Sequence, residues 1–566
     1  MRVARPSFIC LQCRLARPRT ARSLFPRLVA RLYSDNSSSN GNENVTNQKP
    51  QHIQRPTTAP RPNIDIKHIR VNAKLHEQNC LKRNYKIQST YPARIGELAA
   101  QWQTLQKEGR SLRERNNALR RQIANPATIQ HEDEAEEGSA SNPKQNEISQ
   151  TGDVASTSRR DVRTMTASEL LEEARTLKQA ISVIEENEAR ISTEMEDYAL
   201  AMPNLTSEET PQGDKPRILN YINEAHPAVA ATARSSHRVW HSHVHIGSEL
   251  GILDFTSAAT ASGWGWYYLL DEGAQLEQAL IAYALATVTR MPGWRQIAPP
   301  SIVYSHIAAA CGFQPRDQNG ETQIYTLSQS ETDINRRKPE RSLAGTAEIP
   351  LAGMRADSYI EAADLPIKRV ATSRCYRAEA GARGADTKGL YRVHEFSKVE
   401  MFAWTVPTLE ETTEIFDELV DAQTEILSSL GLHCRVLEMP SADLGASATR
   451  KIDIEAFFPS RAAQGLNGGW GEVTSASICT DYQTRRLATR LRGSVGSDGP
   501  KPSVSYPWTV NGTALAVPRV LAAVLENGWD EAASMVRIPE CLRPWMDGKD
   551  RIETKVRKRA LEKGFV

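Results

Sequence analysis

The chain has 566 residues and a formal net charge of +2; this length exceeds what one hydrophobic core accommodates and predicts two or three domains. No apolar run approaches the ~18 residues that span a bilayer, so we expect a soluble mature protein without a membrane partner. The eight cysteines are scattered. Cys10 and Cys13 have no second pair at zinc spacing, so we interpret them as incidental.

Residues 1–34 are strongly basic, so the small net charge hides an uneven distribution. No acidic residue precedes Asp35, and aliphatic side chains separate the arginines at helical spacing. This composition is typical of a presequence for the mitochondrial matrix, and the arginine at 31 predicts a mature start near Ser34. A basic nucleic-acid-binding arm is the alternative. The arginines stand at positions 2, 5, 14, 17, 19, 22, 27 and 31.

Residues 35–62 are rich in Ser, Asn, Gln and Pro, which predicts a disordered linker. Over residues 63–204 the sequence predicts a helical arm. Leucines at 98, 105, 112 and 119 form a strict heptad between about Pro92 and Ile123, and a second heptad set runs from Leu170 to Tyr198 with Glu188 as its single polar member. Two such helices are best paired as an antiparallel coiled-coil hairpin.

Five arginines crowd the outer half of the first arm helix, off the heptad seam. Side chains of this kind suit a phosphate backbone, although solvated charges on a structural hairpin would give the same pattern. Residues 125–163, between the two helices, are acidic and rich in Ser, Asn and Gly. We predict a disordered insertion there, with a regulatory or partner-binding role as the alternative. The arginines are Arg110, Arg113, Arg115, Arg120 and Arg121.

Four histidines at alternating positions have the appearance of a metal cluster. Alternation places only some of them on one face, and no cysteine or aspartate motif completes a ligand set. We therefore predict a hydrogen-bonded surface strand rather than a metal site. The histidines are His237, His241, His243 and His245.

Two β-patterned runs, 369–378 and 391–402, flank a loop with three glycines and predict an antiparallel hairpin. Arg377 and Glu379 are two residues apart, so on a strand they would face the same side. There a guanidinium can hold a phosphate while a carboxylate accepts from an exocyclic amine, a combination that suits ATP. Glu400 on the returning strand adds a negative charge for an ammonium group.

The same stretch resembles motif 2 of the class II aminoacyl-tRNA synthetases, and seryl-tRNA synthetases in particular. Residues 378–381 read Ala-Glu-Ala-Gly, 386–392 read Asp-Thr-Lys-Gly-Leu-Tyr-Arg, and 394–400 read His-Glu-Phe-Ser-Lys-Val-Glu. The resemblance implies that Arg377, Ala378 and Glu379 bind ATP. It also implies that residues 63–204 correspond to the arm that holds the long variable arm of the tRNA.

Further segments resemble other motifs of this family. The helical pattern from Glu277 to Arg290, followed by residues up to Pro300, resembles motif 1, which implies a homodimer interface; a buried helix with an edge strand is the alternative. Thr346-Ala347-Glu348 resembles the loop that binds serine, and by resemblance it acts together with Glu400.

Residues 470–477 resemble the strand whose carboxylate and hydroxyl hold ATP and Mg²⁺, with Glu472 and Ser475 at the matching positions. Val473 and Thr474 lie between them in the implied ATP site. Ala476 and Ile478 replace residues usual in the family, Cys and Asn, and we expect repacking behind the site, although lost orientation of Glu472 is the alternative.

Residues 510–519 resemble motif 3. Arg519 takes the position that meets the γ-phosphate, and Thr513 offers a hydroxyl to the amino acid. Pro518 replaces a frequent glycine, which a first helical turn tolerates because an N–H there has no intrahelical partner. The basic tail, residues 551–566, carries no motif that we can interpret.

The sequence thus predicts an α+β protein in which an antiparallel-sheet catalytic domain, residues 205–550, follows a coiled-coil arm. The resemblance implies that Arg377, Glu472 and Arg519 catalyse the formation of seryl-adenylate from serine and ATP before transfer to tRNA(Ser). Two alternatives stay open: a class II synthetase for another amino acid such as threonine, and an inactive synthetase-like protein that binds RNA or assembles complexes.

Overall fold

The computed structural model describes residues 61–125, 161–224, 241–313, 323–379, 389–493 and 505–554, together with 50 and 59. The described residues belong to one compact unit. The predicted presequence, most of the linker and of the acidic insertion, and most of the C-terminal tail lie outside the described residues. Within the described parts, no helix combines the length and the apolar character that crossing a membrane requires.

Fourteen α-helices occur in the described residues. They are α1 Ile66–Val71, α2 Ala73–Lys82, α3 Tyr91–Ile123, α4 Ala167–Leu200, α5 His243–Leu250, α6 Phe255–Ser262, α7 Glu272–Arg290, α8 Ser305–Ala310, α9 Glu331–Asn335, α10 Glu348–Gly353, α11 Leu409–Ser429, α12 Pro459–Ala463, α13 Tyr482–Leu487 and α14 Val517–Gly528.

Seventeen strands occur in the same parts of the chain. They are β1 Arg217–Ile222, β2 Leu253–Asp254, β3 Tyr268–Leu269, β4 Trp294–Ile297, β5 Ile302–Tyr304, β6 Arg341–Leu343, β7 Tyr359–Glu361, β8 Ile367–Tyr376, β9 Glu395–Thr405, β10 Cys434–Glu438, β11 Arg450–Phe457, β12 Trp470–Thr480, β13 Arg490–Arg492, β14 Trp508–Ala516, β15 Trp529–Asp530, β16 Met535–Arg537 and β17 Arg551–Glu553.

The main sheet has eight strands in the order β1-β10-β11-β12-β14-β9-β8-β4. Every neighbouring pair is antiparallel except β4 and β8 at one edge, which run parallel. Helices α7, α11 and α14 bury their apolar faces against this sheet in the largest hydrophobic core. The predicted α+β class and the hairpin of β8 and β9 are therefore confirmed.

The predicted pair of arm helices is also confirmed. Pro92 occupies the first turn of α3, and Thr166 and Glu169 form a reciprocal capping box at the start of α4. The two helices run antiparallel, because Arg94 pairs with Glu194 near one end while Arg115 pairs with Glu173 near the other. Their apolar seams bury each other in two clusters.

The surface strand predicted for the histidines is wrong for His243 and His245, which lie in helix α5, whereas His237 lies outside the described residues. His243 begins helix α5, and Gly251, which caps the C-terminal end of this helix, adopts a left-handed conformation with φ of 70°. His243 is buried; its Nε2 accepts from the Leu390 N–H at 3.0 Å, which leaves Nδ1 to donate to Glu526 Oε1 at 2.8 Å. Its role is therefore structural, and the described residues contain no group of three His, Cys, Asp or Glu side chains that could hold a metal.

Candidate active site

A polar cavity of about 330 Å³ opens above β9, β12 and β14. It brings together side chains from every predicted catalytic motif. Among the predicted site residues, Ala347 and Ala378 do not line the cavity: Ala347 is fully buried, and the Ala378 N–H donates to the Gln323 carbonyl at 3.1 Å. The predicted residues that line it are Thr346, Glu348, Arg377, Glu379, Glu400, Glu472, Val473, Thr474, Ser475, Thr513 and Arg519.

Arg377 and Glu379 lie beyond β8, which ends at Tyr376. The prediction that they share one strand face is therefore wrong, because Glu379 adopts a left-handed conformation with φ of 48°. Both side chains nevertheless line the cavity. Glu379 Oε2 accepts from Arg392 Nη1 at 3.1 Å. Arg392, to which the sequence reasoning assigned no role, therefore lines the cavity together with Arg377.

Glu348 is a buried carboxyl group that is held on both oxygens. Gln483 Nε2 donates to its Oε1 at 2.6 Å, and Asn511 Nδ2 donates to its Oε2 at 3.3 Å. Burial, together with the nearby Glu400 carboxylate, raises the pKa of Glu348 to about 8. Its backbone N–H donates to Thr346 Oγ1 at 3.2 Å, so the Thr-Ala-Glu loop presents both side chains to the same side.

Glu400 is almost fully buried on β9 and forms an ion pair with Lys398. The two residues alternate on one strand, so both face the cavity. Thr513 on β14 is the direct cross-strand neighbour of Glu400 and donates its hydroxyl to Glu400 Oε2 at 3.2 Å. The sequence reasoning missed Lys398, although its spacing of two from Glu400 was a usable signal.

A β-bulge explains how Glu472 and Ser475 line the same cavity. Residues three apart on a regular strand face opposite sides. In β12, however, Thr474 pairs with Ile454 while Glu472 pairs with Glu455. Val473 is therefore the extra residue, and it reverses the alternation between the two predicted Mg²⁺ ligands.

The Glu472 carboxylate lies 3.1 Å from Arg519 Nη1. Desolvation raises the pKa of Glu472, but Arg519, Lys451 and Arg377 outweigh it and lower that pKa to about 2. Lys451 in turn donates to Asp453 Oδ2 at 2.7 Å. Sequence reasoning assigned no role to Lys451, which lines the cavity.

Arg519 lies in the first turns of α14, where Pro518 is accommodated as predicted. Its Nε donates to the Tyr391 carbonyl at 3.2 Å, and its guanidinium carbon lies 4.7 Å from the centre of the Tyr391 ring. Ala476 and Ile478, at the unusual positions of β12, are buried in the main core rather than exposed to the cavity, as the predicted repacking requires.

The arm arginines divide into two groups, because two of them pair with glutamates of the other helix. Arg115 pairs with Glu173 and Arg113 pairs with Glu188, each across the two helices. Glu188, the single polar member of the second heptad set, thus has a basic partner in Arg113. By contrast, the side chain of Arg110 is 82% exposed, and Arg120 and Arg121 are also exposed.

Comparison with known proteins identifies the family of this chain. Residues 325–528 match the family model described as the class II tRNA synthetase core domain (G, H, P, S and T). The mitochondrial serine–tRNA ligase of Saccharomyces cerevisiae is 43% identical over 351 residues, which cover 62% of this chain and 72% of that protein. The serine–tRNA ligase of Rubrobacter xylanophilus is 34% identical over 486 residues, 85% of this chain and 97% of that protein.

A solved structure agrees with these relatives. The crystal structure of seryl-tRNA synthetase from Pyrococcus horikoshii complexed with ATP aligns with a TM-score of 0.67 at 29% identity. The alignment covers 87% of this chain and 99% of that one. The chain therefore belongs to the serine–tRNA ligase family of class II aminoacyl-tRNA synthetases.

Proposed function

We propose that this serine–tRNA ligase activates serine with ATP in the cavity described above and charges tRNA(Ser) in the mitochondrial matrix. The observation that supports this proposal is that side chains of motif 2, motif 3 and the Thr-Ala-Glu loop all line that one cavity. The relatives named as mitochondrial enzymes support the compartment, at 43% identity in Saccharomyces cerevisiae and 37% in Mus musculus. The basic presequence supports import into the matrix.

In the proposed first step, a serine carboxylate oxygen forms a bond to the α-phosphorus of ATP. The bond to the bridging oxygen breaks, and pyrophosphate leaves. Arg377 would stabilise the charge that develops on the α-phosphate, and Arg519 would hold the γ-phosphate. Because no side chain acts as nucleophile in this scheme, catalysis consists of positioning and electrostatic stabilisation.

Serine would lie between Thr346, Glu348, Glu400 and Thr513. Glu400 supplies a negative charge for the ammonium group, and its buried ion pair with Lys398 fixes its position. Glu348, whose pKa is raised to about 8, is largely protonated near neutral pH and offers both a donor and an acceptor. A pocket of this kind rejects alanine, because its buried polar groups would lose their partner.

Glu472 and Ser475 fit the hard oxygen chemistry of Mg²⁺, since the bulge directs both toward the cavity. When bound, the ion neutralises the charge of the triphosphate. The low pKa of Glu472 keeps its carboxylate ionised at neutral pH, as a metal ligand requires.

In the second step, the terminal ribose hydroxyl of the tRNA attacks the serine carbonyl carbon, and AMP leaves. The arm would hold the tRNA backbone through its arginines; the exposed side chains of Arg110, Arg120 and Arg121 are better placed for this than those of Arg113 and Arg115. A homodimer would form through α7 and β4, the elements that correspond to motif 1.

ATP–pyrophosphate exchange with serine, threonine and alanine tests this assignment. Serine should support exchange with a kcat/KM at least tenfold above either competitor, because threonine clashes with the closed pocket and alanine leaves polar groups unpaired. Exchange with threonine alone would favour a threonyl enzyme, and exchange with no amino acid would favour an inactive RNA-binding protein. The relatives named above favour neither alternative.

A further inference from the structure

The turn Trp264-Gly265-Trp266 lies between α6 and β3 and presents an aromatic surface. The Trp264 side chain is 59% exposed, an unusual position for a ring of this size. None of the roles proposed above for serine, ATP or the arm uses this turn.

The turn is built around His394. Trp266 stacks on the imidazole with ring centres 6.0 Å apart and an interplanar angle of 27°, while Trp264 meets it edge-on at 5.9 Å. Gly265 has φ of +84°, and a Cβ added there would lie 2.4 Å from His394 Cδ2. The His394 N–H donates to the Gly265 carbonyl at 3.0 Å. Glycine is therefore required for both rings to flank the histidine.

His394 connects this aromatic turn to the catalytic cavity. Its carbonyl accepts from the Arg377 N–H at 2.9 Å, and its Nδ1 lies 3.1 Å from the Arg377 carbonyl oxygen and 2.9 Å from Tyr325 Oη. Arg377 lines the catalytic cavity, so the turn lies at the rim of that cavity.

A second cavity of about 650 Å³ adjoins the first, and Trp264 and Trp266 line it. Tyr391 lines both cavities, and the Arg461 guanidinium carbon lies 4.5 Å from the centre of its ring. This volume is in the range of ~300–1,000 Å³ that ligand sites occupy. The combination of stacked aromatic rings and a basic side chain suits a nucleotide, whose base stacks and whose phosphate is anionic.

We propose that the Trp264–Gly265–Trp266 turn is a stacking platform for an unpaired nucleobase at the 3′ end of the tRNA. This inference rests on the proposed function, because the terminal ribose must enter the catalytic cavity while the preceding unpaired nucleotides remain outside it. Proteins hold unpaired RNA bases by stacking them on aromatic side chains. Trp264 positions the tRNA for the transfer step and takes no part in adenylate formation.

Trp264→Ala and Trp264→Phe, compared with the full-length wild type, test the proposal. Trp264→Ala should leave ATP–pyrophosphate exchange with serine within twofold of wild type. It should lower kcat/KM for tRNA in aminoacylation by about tenfold, equal to about 1.4 kcal/mol. Trp264→Phe keeps a ring and should restore most of this loss. Trp545→Ala is the matched control, since Trp545 is 46% exposed on a different segment, Glu540–Trp545.

Truncated tRNA that lacks its unpaired 3′ nucleotides identifies the contact. Wild type and Trp264→Ala should bind this RNA equally, whereas intact tRNA should bind the variant more weakly. Normal charging by Trp264→Ala, or an equal binding defect with truncated RNA, would overturn the platform. A shift of Trp264→Ala to a smaller oligomer in sedimentation would also overturn it, because a second copy of the chain would then cover the ring. Failure of the wild type to exchange with serine would instead contradict the proposed function.

Discussion

The arm and the catalytic cavity both place acidic and basic side chains opposite each other, but in different surroundings. In the arm, the Arg115 and Glu173 side chains are 15% and 31% exposed, so each retains access to water. In the cavity, those of Lys398 and Glu400 are 7% and 1% exposed. A solvated pair contributes ~0–1 kcal/mol to stability, whereas removing one partner of a buried pair costs ~3–5 kcal/mol.

This difference separates two uses of charge in one chain. The arm is held by apolar seams, and its ion pairs add little to the free energy of unfolding, while Arg110, Arg120 and Arg121 remain exposed to solvent. The cavity instead holds charged groups close to one another and away from water. Burial and the nearby Glu400 raise the pKa of Glu348, while basic neighbours lower the pKa of Glu472. Substitutions should therefore have large effects in the cavity and small effects on arm stability.

Lys398→Met should have the largest effect on stability. It leaves Glu400 buried without its ion-pair partner, and we expect the free energy of unfolding, measured by chemical denaturation, to fall by ~3–5 kcal/mol. The double variant Lys398→Met/Glu400→Gln is the matched control and should recover most of this loss, because no uncompensated charge remains. A loss below ~1 kcal/mol in the single variant would place this pair with the solvated pairs of the arm.

Arg377→Ala should lower ATP–pyrophosphate exchange by roughly a hundredfold or more, equal to ~3 kcal/mol of transition-state stabilisation, without changing Tm by more than a few degrees. Arg374→Ala provides the control, since this nearby side chain is 47% exposed and lies 3.7 Å from Glu277. Exchange by Arg377→Ala within threefold of wild type would contradict the role assigned to this guanidinium.

Reversing the exposed arm charges should separate RNA binding from chemistry. The triple variant Arg110→Glu/Arg120→Glu/Arg121→Glu should weaken tRNA binding about tenfold or more and flatten its dependence on salt, because fewer counterions are released. Exchange with serine should be unchanged. Equal affinity of the triple variant and wild type across a salt titration would show that the tRNA does not contact this surface.

Arg115→Ala should have the smallest effect. The Glu173 side chain that remains has access to water, so we expect the free energy of unfolding to fall by no more than ~1 kcal/mol. Chemical denaturation of Arg115→Ala and of Lys398→Met under the same conditions compares the two regions directly. A loss from Arg115→Ala as large as that from Lys398→Met would remove the distinction.

The sequence by itself determined the elements that follow from periodicity and from motif wording. The heptads predicted α3 and α4, because a coiled-coil seam repeats at a spacing that local sequence records. The runs around residues 369–402 predicted β8 and β9. The resemblance to the seryl family identified eleven of the residues that line the cavity before any contact was known.

Only the tertiary structure decided how these side chains face one another. The bulge at Val473, the left-handed Glu379 and the helical His243 depend on pairing register and burial, which strand alternation does not contain. Lys398 and Lys451 each pair with a carboxylate two residues along the same strand, but only the tertiary structure places both lysines in the catalytic cavity. Charge at a sequence position is local information, whereas its dielectric surroundings come from distant parts of the chain.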